Sequence, residues 1–188
     1  MQNFFLVVEG LSGSGKTTIG KELAKQTRSI FYKTPPLQFE LLRHWIDQKV
    51  DPTVRYLFYL TSVLQASCDI REILQKHSVV CDRYLLTTEC YHKIIGVQTF
   101  GGYKKWQDQI VIPDITILVT CSEYERQQRL STRGLSFNDS QEEKLQIATK
   151  LYKEYRHHPV VEINNDGNIE DTVDKILNEL QKRSLWRG

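Results

Sequence analysis

Short apolar runs alternate with longer stretches of mixed polarity along the 188-residue chain. The runs Phe4–Glu9, Ile30–Lys33, Val79–Asp82, Ile115–Thr120 and Val160–Asn164 are short and near-continuously apolar, which predicts strands, the first of them buried. Between them apolar residues recur at helical spacing. That spacing predicts helices over Lys16–Gln26, Leu37–Gln48, Val54–Gln75, Thr87–Ile94, Ser122–Ser131, Gln141–Tyr155 and Ile169–Lys182. In the longest of these, Leu57, Leu60, Leu64 and Cys68 fall at i, i+3, i+7 and i+11 and predict its buried stripe. Such strands alternating with helices predict an α/β fold, a five-stranded parallel sheet with helices on both faces, in one domain over 1–188. Ligands of such sheets bind outside the carboxyl ends of the strands. Glu9-Gly10 and Asp82-Arg83 stand at two of those ends, so the chemistry is expected there.

Composition narrows the partners. Basic residues number 25 and acidic residues 23, a net charge of +2. That balance is too even for a nucleic-acid or membrane surface, though it permits a local site for an anionic ligand. No apolar stretch approaches the ~20 residues of a membrane helix, and the N-terminus lacks the basic and apolar regions of a signal peptide. The cysteines at 68, 81, 90 and 121 form no C-x-x-C pair, and with the five histidines they show no metal spacing. His157-His158-Pro159 reads as a helix end before a strand. Free, mostly buried thiols and a reducing, cytoplasmic setting follow as expectations.

Gly10-Leu11-Ser12-Gly13-Ser14-Gly15-Lys16-Thr17 completes the pattern G-x-x-x-x-G-K-T, between a strand candidate and a helix candidate. Glycines let the backbone curl so that successive N–H groups point at phosphate oxygens. Gly10, Ser12, Gly13, Ser14, Gly15, Lys16, Thr17 and Thr18 are therefore the expected phosphate-binding set. Lys16, expected to stand in solvent in the empty loop, would reach the β- and γ-phosphates, and the Thr17 hydroxyl would ligate Mg²⁺. A Gly/Ser-rich surface turn is the bland alternative, and the strand–loop–helix context speaks against it.

Other residues acquire meaning from that loop. Asp82, ending an apolar strand, suits a carboxylate that holds Mg²⁺ or its waters; capping the next segment is the alternative. Arg83 can grip a phosphate bidentately or form a surface ion pair. Glu9 can hydrogen-bond a substrate sugar or magnesium waters, act as general base on a hydroxyl, or cap the loop. Arg126, Arg129 and Arg133 lie on one helix face, which is either a solvated basic face or a source of transition-state cations. The polar segment from Arg133 to Gln141 reads as a lid or as an ordinary connection. Phe58, Tyr59, Tyr84 and Tyr91 could each stack on a base or pack in the core.

These residues together resemble the thymidylate kinase family and its relatives, the deoxynucleoside kinases. The resemblance covers nearly the whole chain. Val8-Glu9-Gly10-x-x-Gly13-x-Gly15-Lys16-Thr17-Thr18 is similar to that family's opening, and Asp82-Arg83-Tyr84 to its Asp-Arg-Tyr signature. Tyr91 falls at a family tyrosine near the sugar. Arg129-Leu-Ser-Thr-Arg133-Gly resembles a lid element, and the stretch from Glu162 through Asn165 and Asp166 to Val173 resembles the last strand, adenine-side loop and final helix. Leu57-Phe58 matches a pair whose Phe stacks on the base, and Arg43 matches an arginine that reaches the acceptor phosphate. Departures cluster on the acceptor side: Ser12 replaces an acidic residue, Ser62 an arginine, and Thr34-Pro35-Pro36 a Pro-Gly-Gly-Thr segment. The resemblance implies an ATP- and Mg²⁺-dependent phosphotransferase acting on a nucleoside monophosphate such as dTMP, and leaves a homodimer open. The rivals are a nucleoside kinase with Glu9 as base on a 5′-hydroxyl, a kinase of another small molecule, and a non-catalytic nucleotide-binding module.

Overall fold

A computed structural model of the chain describes residues 3–106, 108–134, 140 and 147–188. Five strands, β1 (Phe5–Glu9), β2 (Ile30–Lys33), β3 (Val79–Asp82), β4 (Ile115–Thr120) and β5 (Val161–Asn164), form one sheet in the order β2-β3-β1-β4-β5. Every pairing is parallel, as the apolar runs predict. The described helices are α1 (Lys16–Thr27), α2 (Glu40–Lys49), α3 (Pro52–Ile73), α4 (Leu85–Ile94), α5 (Tyr103–Trp106), α6 (Glu123–Arg133), α7 (Ala148–Tyr155) and α8 (Ile169–Lys182).

Strand alternation divides the core and aims the site. Leu6, Val8 and Val80 pack with Ile19 and Leu23 of α1 and Val173 and Ile176 of α8. Phe5, Val7, Val79 and Cys81 pack on the opposite face with Tyr56, Leu60 and Val63 of α3. Side chains two apart share a face. Glu9 therefore continues the face of Phe5 and Val7, towards α3 and α4. Asp82 continues the face of Val80, towards α1.

Several boundaries differ from expectation. The helix expected over 37–48 is a 3-10 turn, Leu37–Phe39, followed by α2. Helix α3 starts at Pro52, because the Asp51 side chain accepts a 2.8 Å bond from Thr53 N and proline suits the first helical position. Its buried face runs through Tyr56, Leu60, Val63, Ser67 and Ile70, whereas Leu57 and Cys68 are exposed. The apolar spacing set the stripe about one residue out of phase, because small and aromatic side chains on α3 fill the space over the sheet. Helix α4 begins at Leu85, two residues before the expected Thr87. Helix α5 was not legible, being a single turn. Of the helix expected over 141–155, α7 is described; residues 141–146, like 135–139 of the expected lid, lie outside the described residues. All four cysteines are unbridged, with Cys81 and Cys90 buried.

Candidate active site

The loop between β1 and α1 is held open by its glycines. Gly10 has φ 144° and Gly15 φ 96°. A Cβ at Gly10 would stand 2.4 Å from the Val119 carbonyl oxygen, and one at Gly15 2.5 Å from Asn165 Nδ2. Only glycine fits either place. Lys16 is not in solvent as expected: it is 5% exposed, and its Nζ donates 2.6 Å to the Leu11 carbonyl, inside the loop. The ammonium is thus stored where incoming phosphate oxygens would replace that carbonyl.

Thr17 and Asp82 meet at the foot of the loop. The Thr17 hydroxyl donates 2.5 Å to Asp82 Oδ2, while Asp82 Oδ1 is buried and has no hydrogen-bond partner among the described residues. A buried carboxylate oxygen without a donor is costly. Beside a phosphate loop, that oxygen and the adjacent hydroxyl form the oxygen-donor set that suits Mg²⁺.

Glu9 is fully buried, and its carboxylate is taken up by α4. Its Oε1 accepts from Tyr84 N at 3.0 Å and Thr87 N at 3.3 Å, and its Oε2 from the Thr87 hydroxyl. It caps the amino end of α4 rather than the phosphate loop. Burial pushes Glu9 up to about 7, against the lowering effect of Thr87, Arg83 and the amides. Thr87 Oγ1 also accepts from Arg83 Nη1 at 3.2 Å and lies 2.9 Å from the Tyr155 hydroxyl of α7. Arg83 Nη2 reaches the Ser12 hydroxyl at 3.3 Å. The Arg83 backbone has φ 67°, a conformation unfavourable for a side chain with a Cβ. Its N–H bonds Val8 O at 3.0 Å, and its carbonyl accepts from the Thr34 hydroxyl at 3.0 Å. The sheet thus holds Arg83 at the loop as a partly buried group.

The three arginines of α6 divide. Arg126 is buried, paired twice with Glu123 at 2.8 Å, and donates 3.4 Å to the Ser12 carbonyl. Arg129 donates to Ser14 O at 3.3 Å and Asn165 O at 2.7 Å. These two brace the phosphate loop. Arg133 lines the cleft.

The cleft, about 320 Å³, opens beside the loop between α3 and α4. Ser12, Lys16, Thr17, Arg43, Asp82, Arg83, Tyr84 and Tyr91 line it. Arg43 is tied to Glu40 at 3.0 Å and Asp47 at 3.7 Å. Tyr84 is otherwise a core residue, packed edge-on to Phe5 at 5.2 Å. Phe58 is not among the lining residues; it packs against Phe39, and its neighbour Tyr59 lines the cleft instead. Thr18 borders a separate open groove with Lys21 and Asn168. Asn165 and Asp166 do not reach the cleft: Asn165 Nδ2 bonds Ser14 O at 2.8 Å, and Asp166 Oδ1 accepts from Ser122 N at 2.5 Å.

Sequence reasoning missed Arg55, Thr87 and His92. Arg55, Tyr59 and Ser62 share one face of α3 and all line the cleft. That i, i+4, i+7 polar face was present in the sequence but was masked by the apolar stripe beside it. Thr87 carried no local signal.

The phosphate loop, the Thr17–Asp82 pair and a cation-lined cleft on a parallel sheet define a P-loop phosphotransferase. Residues 8–176 match the family model described as thymidylate kinase. A probable thymidylate kinase of Methanocaldococcus jannaschii is 31% identical over 139 residues, which are 72% of this chain and 73% of that protein. The chain belongs to the thymidylate kinase family, and it is a nucleotide or nucleoside kinase. Two solved structures share the fold. The thymidylate kinase of Candida albicans has a TM-score of 0.75 at 16% identity, covering 98% of this chain and 93% of that one. The deoxyadenosine kinase of M. mycoides with bound dATP has a TM-score of 0.69 at 19% identity, covering 95% and 100%.

Proposed function

We propose that the protein transfers the γ-phosphoryl group of ATP to the phosphate of a nucleoside monophosphate such as dTMP. One observation carries this reading. The described cleft lining holds Lys16, Lys33, Arg43, Arg55, Arg83 and Arg133 against a single carboxylate, Asp82. A phosphate acceptor is ionised at neutral pH and needs cations rather than a base, whereas a hydroxyl acceptor needs a base. Both Glu9 oxygens are already bonded to α4, which also favours the phosphate acceptor.

In the reaction an acceptor phosphate oxygen attacks the γ-phosphorus, the new P–O bond forms, and the bond to the β-phosphate oxygen breaks with ADP leaving. Lys16, released from Leu11 O, meets the β- and γ-phosphates. Arg83 orients the acceptor phosphate from the β3–α4 junction, and Arg133 approaches the transferred group from α6. Thr17 and Asp82 would hold Mg²⁺, which when bound neutralises phosphate charge. Asn165 acts on the donor side by bracing the loop that receives ATP.

No described helix is long and apolar enough to cross a membrane. The proposal extends to a cytoplasmic enzyme without a nucleic-acid partner, and to a homodimer through the exposed Leu37, Leu41, Leu42 and Trp45 on and before α2; sedimentation velocity tests the latter.

The deciding experiment offers nucleosides and their monophosphates with ATP and Mg²⁺ and reads product mass, with Lys16→Ala as control. The expected product is a nucleoside diphosphate from dTMP, and Lys16→Ala is expected to abolish it. A control that retains more than about a tenth of wild-type kcat (~1.4 kcal/mol of barrier) would remove the loop from the donor site.

A further inference from the structure

Arg55 stands in the first turns of α3 and is 9% exposed. Its guanidinium carbon lies 5.3 Å from the centroid of the Tyr91 ring, and Nη2 makes a long, 3.5 Å bond to the Tyr91 hydroxyl. Its Nε is buried and has no hydrogen-bond partner among the described residues. Among the described residues no carboxylate pairs with it. Two other arginines near the site are paired with carboxylates: Arg43 with Glu40 and Asp47, Arg126 with Glu123.

A guanidinium removed from water is costly unless an anion or a full set of acceptors meets it. The Tyr91 ring supplies part of that compensation and leaves N–H groups for a ligand. His92 supplies no negative charge. It is buried beside the same wall, its Nδ1 is 2.7 Å from the Thr88 carbonyl, and burial keeps it neutral by pushing it down to about 4. What the wall lacks is an anion, and the cleft it lines is where the acceptor would bind.

We propose that Arg55 is an acceptor-phosphate ligand, and that its guanidinium makes this enzyme prefer a nucleoside monophosphate to the corresponding nucleoside. The proposal rests on the cleft being the acceptor site. Arg55 would reach the phosphate from α3 and Arg83 from the β3–α4 junction, so the two would grip it from different elements. Arg55 was not among the residues singled out in the sequence, and the face it shares with Tyr59 and Ser62 explains how it enters the cleft.

Calorimetric titration of the intact chain tests this. The wild type, Arg55→Gln and Arg55→Lys are each titrated with dTMP and with thymidine. Arg55→Gln is expected to weaken dTMP about ten- to hundredfold, the effect of losing a hydrogen bond to a charged group, while thymidine stays within about twofold of wild type. Arg55→Lys, which keeps charge but not the fork, is expected between the two. Equal weakening of both ligands would show that Arg55 only packs the wall and would overturn the proposal. So would unchanged dTMP binding, or a wild type that binds dTMP no better than thymidine. Failure of the acceptor reading shows separately: product mass would then reveal thymidine, and not dTMP, phosphorylated by the wild type.

Discussion

Thr87 and Glu9 are joined twice: the Thr87 hydroxyl donates to one carboxylate oxygen, and the Thr87 N–H donates to the other at 3.3 Å. The same hydroxyl accepts from Arg83 and contacts Tyr155. One side chain therefore ties together the end of β1, the start of α4, the cleft arginine and α7. With Glu9 ionised, the single Thr87 proton points at the carboxylate, and its lone pairs receive Arg83 and Tyr155.

Thr87→Val is isosteric but removes that hub. It leaves Glu9 Oε2 without its donor and should cost about 1–3 kcal/mol of stability. Arg83 also loses an anchor, so kcat/KM for the acceptor should fall about tenfold (~1.4 kcal/mol), with Thr87→Ser restoring most of it. Melting curves and acceptor kinetics check this; wild-type values in both for the valine variant would show the hub to be idle.

Glu9 makes stability depend on pH. Its ordinary value is 4.5, and burial raises it to about 7 in the folded protein. Between those values the native state keeps a proton that the unfolded chain has released. Its contribution should therefore be lost as pH rises through that window, by about 1.4 kcal/mol per pH unit. Glu9→Gln should flatten the dependence, as urea melts at several pH values would reveal. In turnover, with a phosphate acceptor, the same change should act mainly on KM. A 10²–10⁴-fold loss of kcat, with a nucleoside the only acceptor phosphorylated, would instead make Glu9 a general base.

Arg133 ends α6 and lines the cleft, whereas Arg126 and Arg129 brace the loop. Arg133→Ala should therefore lower kcat far more than it raises the ATP KM, the signature of an interaction made in the transition state. An unchanged kcat would return Arg133 to an ordinary solvated role.

Asn165 joins three segments: its Nδ2 donates to Ser14 O, its Oδ1 accepts from the Thr172 hydroxyl at 2.9 Å, and its carbonyl accepts from Arg129. Asn165→Ala should destabilise the fold by about 1–3 kcal/mol and raise the ATP KM, because the loop loses its brace. Thermal melts and ATP titration of the rate test both effects. Asp166→Ala, at an exposed turn, should do neither.

Local patterns were enough to find the strands of the sheet and the place of the phosphate loop. An apolar strand announces itself over a few residues, and the glycines of the loop answer to backbone angles that only glycine adopts easily. The same patterns also placed Glu9, Asp82 and Arg83 at strand ends. Their partners were not legible. Glu9 meets Tyr84 across 75 positions of the chain, and Thr17 meets Asp82 across 65. Those meetings follow from the pairing of Val8 with Asp82 and from which face each alternate side chain takes. Long-range packing alone settles that Lys16 is stored on Leu11, that Asn165 is a brace, and that Arg55 faces the cleft with no carboxylate paired to it among the described residues. Packing, not spacing, selects which face of α3 turns inward, since a buried face is chosen by the volumes and charges that surround it.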